Sequence, residues 1–269
     1  MTFLAVKILA AGLIVLGFSV LAERVGPRLA GILMGAPLGA LISYVFIGID
    51  AGPAYVAAGC PYAIAGMAGT LMFTYAYYRV SAALPTLAPL ANAGLATSAG
   101  VALFLGWSLV IRGIHFTIPT ALAVVVPVVV VGTVLFRRLQ DLRILKPARL
   151  TFGLMGMRAG GAALLVSVVS SLAVVLGPAW GGLLMAFPMT LLPTMLIVHL
   201  TYSAAHVHAM LGAFPVGLGS VIVYIAAVSE TFPRFGVGWG TAVALVAAWG
   251  YLGLLPLAFR LARRRRPAG

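Results

Sequence analysis

Charged residues punctuate this chain at long intervals, and the runs between them are apolar throughout. A helix that crosses a membrane needs about 20 consecutive, mostly apolar residues. Uncharged runs of 21, 28, 32 and 24 residues cover 29–49, 51–78, 80–111 and 113–136. A further run of 71 residues, 159–229, contains Gly177-Pro178 and a polar patch, Thr201-Tyr202-Ser203, followed by His206 and His208. Gly-Pro and Ser/Thr/His clusters are turn signals, so this run divides into three spans. The pattern therefore predicts nine helices, over 2–22, 29–49, 55–78, 86–111, 118–136, 157–176, 179–200, 206–229 and 236–259. Segment 2–22 has no basic region ahead of its apolar core and no clear cleavage site after it, so it reads as the first span.

Composition narrows the class. With 63% hydrophobic and only 8% charged residues, and a mean hydropathy of +1.15, the chain cannot cover itself with a water-compatible surface. A soluble domain carries about 25% charged residues. The fold expected is all-α and integral to a membrane. One cysteine, Cys60, excludes a disulfide framework, a zinc ribbon and an iron–sulfur site.

Seventeen Lys and Arg against four Asp and Glu give a net charge of +13. No aromatic–basic motif accompanies that excess, so it reads as membrane topology and not as nucleic-acid binding. With nine spans, fourteen of the seventeen positive residues fall on one side: Arg24, Arg28, Arg79, the group from Arg137 to Arg158, Arg260 and Arg263–Arg266. Lys7, Arg112 and Arg234 fall on the other. The positive-inside rule then puts the C-terminus in the cytoplasm and the N-terminus outside, with Arg263–Arg266 as an anchor.

Two segments match each other. At an offset of 151, seven of sixteen positions over 26–41 are identical, including Gly26/Gly177, Pro27/Pro178, Gly31/Gly182, Met34/Met185 and Pro37/Pro188. The same offset maps spans one to four onto spans six to nine and leaves 118–136 as a linker. Four spans plus one linker bring the second copy in from the opposite face. The copies are then inverted, as in many secondary transporters. The expected organisation is a first repeat over 1–111, a linker helix and basic cytoplasmic loop over 112–153, a second repeat over 154–260, and a basic tail over 261–269.

The segment Gly182-Leu-Leu-Met-Ala-Phe-Pro188, in a four-span unit, resembles the GlpM-type small bacterial inner-membrane proteins. The first copy, Gly31 to Pro37, departs from that pattern at the Phe. The resemblance implies a tandem fusion of two such units in a bacterial inner membrane. It implies little about substrate.

Candidate chemistry follows from the prolines. A proline inside a helix removes a donor and clashes with the carbonyl four residues back, which points at the carbonyls of Leu33 and Leu184. In hydrocarbon, such groups must face protein, water or ligand. Interrupted helices at matching positions of inverted halves are the best sequence pointer to a midplane site. The candidate substrate-binding set is Leu33, Pro37, Ser43, Tyr44, Thr70, Leu184, Pro188, Thr190, Thr194, Ser220 and Tyr224. Gly66, Gly69, Gly217 and Gly219 read as close-packing positions at its floor. Tyr75, Tyr77 and Tyr78 read as an interfacial aromatic belt, and His206 and His208 as loop or interface residues. Arg79 and Glu230 are candidate gates, and His199 is a candidate for proton coupling.

The four acids, Glu23, Asp50, Asp141 and Glu230, all sit at span ends or in loops. That pattern disfavours a carboxylate-based cation site. No catalytic, phosphate-loop or metal motif stands out, so neither an enzyme nor a cofactor is expected. The function expected is alternating-access transport of a small anionic, neutral or lipid-like solute. The partners expected are membrane lipids and that solute, with a homo-oligomer left open. The competing readings are a channel-like pore and a non-transporting membrane subunit or assembly factor of an envelope system.

Overall fold

The computed structural model describes residue 12 and residues 37–139 and 151–264. The described part is helical, with no strand among the described residues. We label its helices α1 (Leu38–Ala51), α2 (Pro53–Ala83), α3 (Pro89–Ile111), α4 (Ile118–Leu135), α5 (Phe152–Met185), α6 (Leu191–Thr201) and α7 (Ala204–Arg264). A short 3-10 turn, Arg137–Leu139, follows α4. Expected span 2–22 and the part of 29–49 before Pro37 lie outside the described residues.

Local chemistry sets the helix ends. Pro occupies the first turn of α2, α3 and α4, where its missing N–H costs nothing. Thr117 and Thr120 form a reciprocal capping pair that starts α4. Three glycines take positive φ: Gly52 (91°) between α1 and α2, Gly177 (85°) within α5, and Gly236 (72°) within α7. At the last two the chain leaves helical geometry, so α5 and α7 are each two helical segments meeting at a kink.

Five stretches are long and apolar enough to cross a membrane: Pro53–Ala83, Pro89–Ile111, Ile118–Leu135, Ala159–Met185 and Ala204–Leu255. The chain is therefore a multi-pass, all-α membrane protein. Helix α2 is the hub and packs against α3, α4, α5 and α7. Its middle is sealed, from Ala63 to Leu71, by neighbours on every side. Helices α3 and α4 sit at the rim and expose Leu90, Val110, Val130 and Val134. In a bilayer, such apolar faces meet lipid and bear no hydration cost.

The hub contact is close. A Cβ added to Gly182 on α5 would lie 2.1 Å from the Gly59 carbonyl oxygen of α2. One added to Gly66 would lie 2.8 Å from the Ala186 Cβ. Small residues at these crossings let the two backbones touch, as the sequence indicates for Gly66.

Span 179–200 differs from expectation. It is not one kinked helix. The chain stops being helical over 186–190, between α5 and α6, and Pro188 lies inside that break. Proline supplies no N–H for the last turn of α5, and Phe187 and Met189 instead close short turns onto Leu184 and Phe187. We expect Gly177→Ala and Gly236→Ala each to cost about 1–3 kcal/mol, because their φ/ψ region is nearly closed to side chains. Gly253→Ala, which meets open space, should leave stability unchanged. Thermal unfolding in detergent, followed by circular dichroism, checks both.

Candidate functional site

The helix break at 186–190 lies against the middle of α2. Thr70, near the midpoint of that helix, donates its hydroxyl to the Ala186 carbonyl at 2.5 Å. Next to this bond is a cavity of about 50 Å³, with room for a few water molecules or a small polar group. Its walls are Gly39 and Ala40 at the start of α1, Met67 and Thr70 of α2, residues 185–191, and Phe214, Leu218 and Val221 of α7.

Two helices begin at this cavity. Pro37 precedes the first turn of α1 and Thr190 precedes the first turn of α6, and neither helix has a side-chain cap on its amides. The first N–H groups of an α-helix lack intrahelical partners and carry partial positive charge. The two starts touch, since a Cβ added to Gly39 would lie 2.7 Å from the Thr190 hydroxyl oxygen. Among the described residues, no acidic or basic side chain lines the cavity.

The contacts also fix helix directions. Going forward from the cavity along α1 and α7, Tyr44 stacks edge-on against Tyr224, with ring centroids 5.8 Å apart. Cys60, toward the start of α2, lies near both hydroxyls. Going forward along α2 and α6, the Tyr77 hydroxyl is 2.7 Å from His199 Nδ1. The Ser81 hydroxyl is likewise 2.7 Å from His208 Nε2, near the start of α7. Thus α1 and α7 run one way and α2 and α6 the other. Tyr44, Tyr224 and Cys60 close one end of the cavity, and Tyr77, His199 and His208 lie beyond the other.

Several expected site residues meet at the cavity. Thr70, Pro188 and Thr190 line it, and Pro37 is buried beside it at the head of α1. Ser43 is fully buried one turn on and donates to the Gly39 carbonyl at 3.1 Å. Thr194 bonds back to the Thr190 carbonyl at 2.9 Å, and Ser220 to Gly217 at 2.9 Å. The Tyr44 hydroxyl is fully buried and has no hydrogen-bond partner among the described residues. The Tyr224 hydroxyl has Thr241 near it. That threonine is committed to the Val237 carbonyl at 2.6 Å, and Tyr224 makes no hydrogen bond of good geometry.

Other expectations change. The Leu184 carbonyl is not orphaned: it accepts the Phe187 amide at 3.0 Å, because the helix ends before Pro188 and does not continue through it. The Leu184 side chain packs toward α1 and the front of α5, away from the cavity. Leu33 lies outside the described residues. Arg79 bonds its neighbour Tyr75 at 3.1 Å, and Glu230 pairs with Arg234 at 2.8 Å on an exposed face. Each is engaged with its own helix. Tyr77 is no belt residue but fully buried, and His208 lies inside α7 and is buried. The sequence also left out Gly39, Met67, Met185, Phe214, Leu218 and Val221, which carry no polar signal.

No family model, curated protein or solved structure matches the chain.

Replacing Thr70 by Val leaves the Ala186 carbonyl unpaired at mid-helix depth. That substitution should cost about 1–3 kcal/mol. Thr70→Ser should restore most of the loss, read as the thermal midpoint in detergent.

Proposed function

We propose that this protein is a secondary-active transporter or translocator of a small anionic, neutral or lipid-like solute, working by alternating access between two inverted four-helix repeats. One observation carries the reading: the cavity walls pair off at the offset of the sequence repeat. Gly39 and Thr190, Ala40 and Leu191, Met67 and Leu218, and Thr70 and Val221 are each 151 residues apart, and all eight line the same cavity. A contact between equivalent residues, such as Gly39 against Thr190, is what a pseudo-two-fold axis through the cavity requires.

Further features support the same reading. Shifted by 151, the start of α2 at Pro53 falls on Ala204, the start of α7. Leu38–Ala51 overlays Leu191–Thr201, and loop residue Pro85 falls on the kink at Gly236. Counting the segments on either side of each kink, and the undescribed N-terminal region, accommodates nine spans. Equivalent helices α1 and α6 run in opposite directions, as do α2 and the first part of α7, which is the sense of an inverted repeat. The unit duplicated on this reading is of the GlpM-type kind, in a bacterial inner membrane with the C-terminus inside.

The site's chemistry supports the substrate class. The first amides of α1, with that of Leu191 at the start of α6, are backbone donors without a side-chain cap, and the described walls hold neither a carboxylate nor a fixed cation. Such a site suits an anion, or a neutral group rich in acceptor oxygens, and repels a metal cation. Alternating access consists of opening one closed end at a time around this pocket.

Reconstitution in liposomes tests the proposal. The probes are labelled chloride, phosphate, a small dicarboxylate, a neutral amino acid and a fluorescent phospholipid. At least one should show saturable uptake, and Val221→Phe, which adds bulk to the cavity wall, should lower that uptake by about tenfold or more. Flux that never saturates would favour the pore. Absence of flux together with a stably co-purifying membrane partner would favour the subunit reading.

A further inference from the structure

Beyond the cavity, on the side of the α2 C-terminus, lies a buried polar cluster drawn from four helices. His199 on α6 and His208 on α7 are 4% and 9% exposed. Tyr77 and Ser81 of α2 each hold one of them at 2.7 Å. The Tyr78 ring stands edge-on to His208 at 5.0 Å between centroids. Asn92 of α3 donates to the Ser81 and Leu84 carbonyls at 3.1 and 2.7 Å and so ties the cluster to the end of α2. Its own carbonyl oxygen is buried with no partner among the described residues.

This is an expensive arrangement for a purely structural role. Two imidazoles, a tyrosine, a serine and an amide with an unused acceptor replace apolar side chains that would satisfy the same space. The two histidines are also near enough to act on each other electrostatically. From α2 the facing titratable groups are Tyr77 and Tyr78. From α3 the facing polar group is Asn92. Arg79 and Arg137 are exposed near this end, and His206 is turned to Ser203 and the Tyr202 ring. No carboxylate of a described residue contacts either imidazole.

We propose that His199 and His208 form a proton-binding latch that couples proton uptake to opening of this end of the cavity. The inference rests on the transport reading for its purpose, though not for its test. With both rings neutral, the Tyr77–His199 and Ser81–His208 bonds pin α6 and α7 to α2. One added proton places a cation in a buried cluster where no described residue supplies a counter-charge, and a second places two cations side by side. Water relieves that charge, so the protonated pair favours the conformation in which the helices part. The positive-inside pattern assigns this end to the cytoplasm. The coupling ion is then a proton and the latch is the cytoplasmic closure. No buried carboxylate is needed, in keeping with the four acids at span ends or in loops.

The test reads opening without assaying transport. In a Cys60→Ser background, cysteine is placed at Thr74, which is buried on α2 between cavity and latch. Its rate of modification by a water-soluble maleimide is divided by that of Thr86→Cys in the exposed loop between α2 and α3, which removes the intrinsic pH dependence of the thiol. Between about pH 8 and about pH 5.5, a range that spans the ordinary imidazole pKa, the ratio should rise about tenfold. It should rise by about threefold or less in His199→Gln and in His208→Gln, since each keeps one imidazole, and either variant suffices if the other fails to fold. A ratio that is flat in the parent, or that rises as far in both variants as in the parent, overturns the latch. If the ratio rises but no solute is moved, the latch stands and the transport reading falls. Saturable flux beside a flat ratio leaves transport standing and sinks proton coupling.

Discussion

Everything in this fold depends on one constraint: at membrane depth a backbone amide or carbonyl has no water to turn to. A chain that breaks its helices there must close each break from within. Here the break at 186–190 is closed by three agents. Short turns use the Phe187 and Met189 amides, the Pro188 carbonyl takes up the first turn of α6, and Thr70 covers Ala186 from the neighbouring helix. What is left over is the pair of uncapped helix starts at Gly39 and Thr190. The cavity sits beside a break in the helices, where a polar solute gains contacts it would not find in lipid.

The two ends of the cavity differ in kind although the helices that build them are related. Tyr44 and Tyr224 close one end, while their equivalents at the offset of 151, Met195 and Phe73, lie toward the other. Beyond Met195 and Phe73 come Tyr77, His199 and His208. On the proposed reading, duplication would account for the scaffold and divergence for the chemistry. One closure is two stacked phenols with little hydrogen bonding to hold them, and the other is an apolar plug backed by a hydrogen-bonded imidazole pair. Ends of unequal chemistry respond to different signals, which the proposed carrier would need if its two faces are to open in turn.

The membrane class and the long apolar stretches of α2, α3, α4, α5 and α7 were legible because the criterion is local: a run of about twenty apolar residues is visible without knowing any neighbour. Pro37, Thr70, Pro188 and Thr190 were legible for a related reason, since a break in an apolar helix and a polar group at mid-span both stand out against their surroundings. The fate of Leu184 was not legible. Its carbonyl is orphaned only if the helix continues past Pro188, and whether a chain kinks or stops depends on what lies opposite, here Thr70. The roles of Tyr77 and His208 were hidden for a deeper reason. In a chain that is apolar on all faces, lipid-facing and core-facing sides look alike. Position along a helix then gives depth but not direction. Gly39, Met67, Leu218 and Val221 were invisible on the same ground.

That loss of directional information also explains why the repeat matters more than any single residue. Burial of a hydrophobic face normally tells which side of a helix is inward, but a bilayer removes the contrast. A fixed offset replaces it, because residues on a pseudo-two-fold axis must meet their own equivalents. Gly39 lies against Thr190, and Met67, Leu218, Thr70 and Val221 share the cavity wall, as the proposed axis would require. Neither a random cluster of apolar side chains nor a simple kink satisfied by a threonine would line a cavity with four pairs separated by one constant interval. On the proposed reading, an axis lying in the membrane plane would make the two directions of approach to the cavity equivalent in outline, and that equivalence is the condition for exposing one site to two compartments.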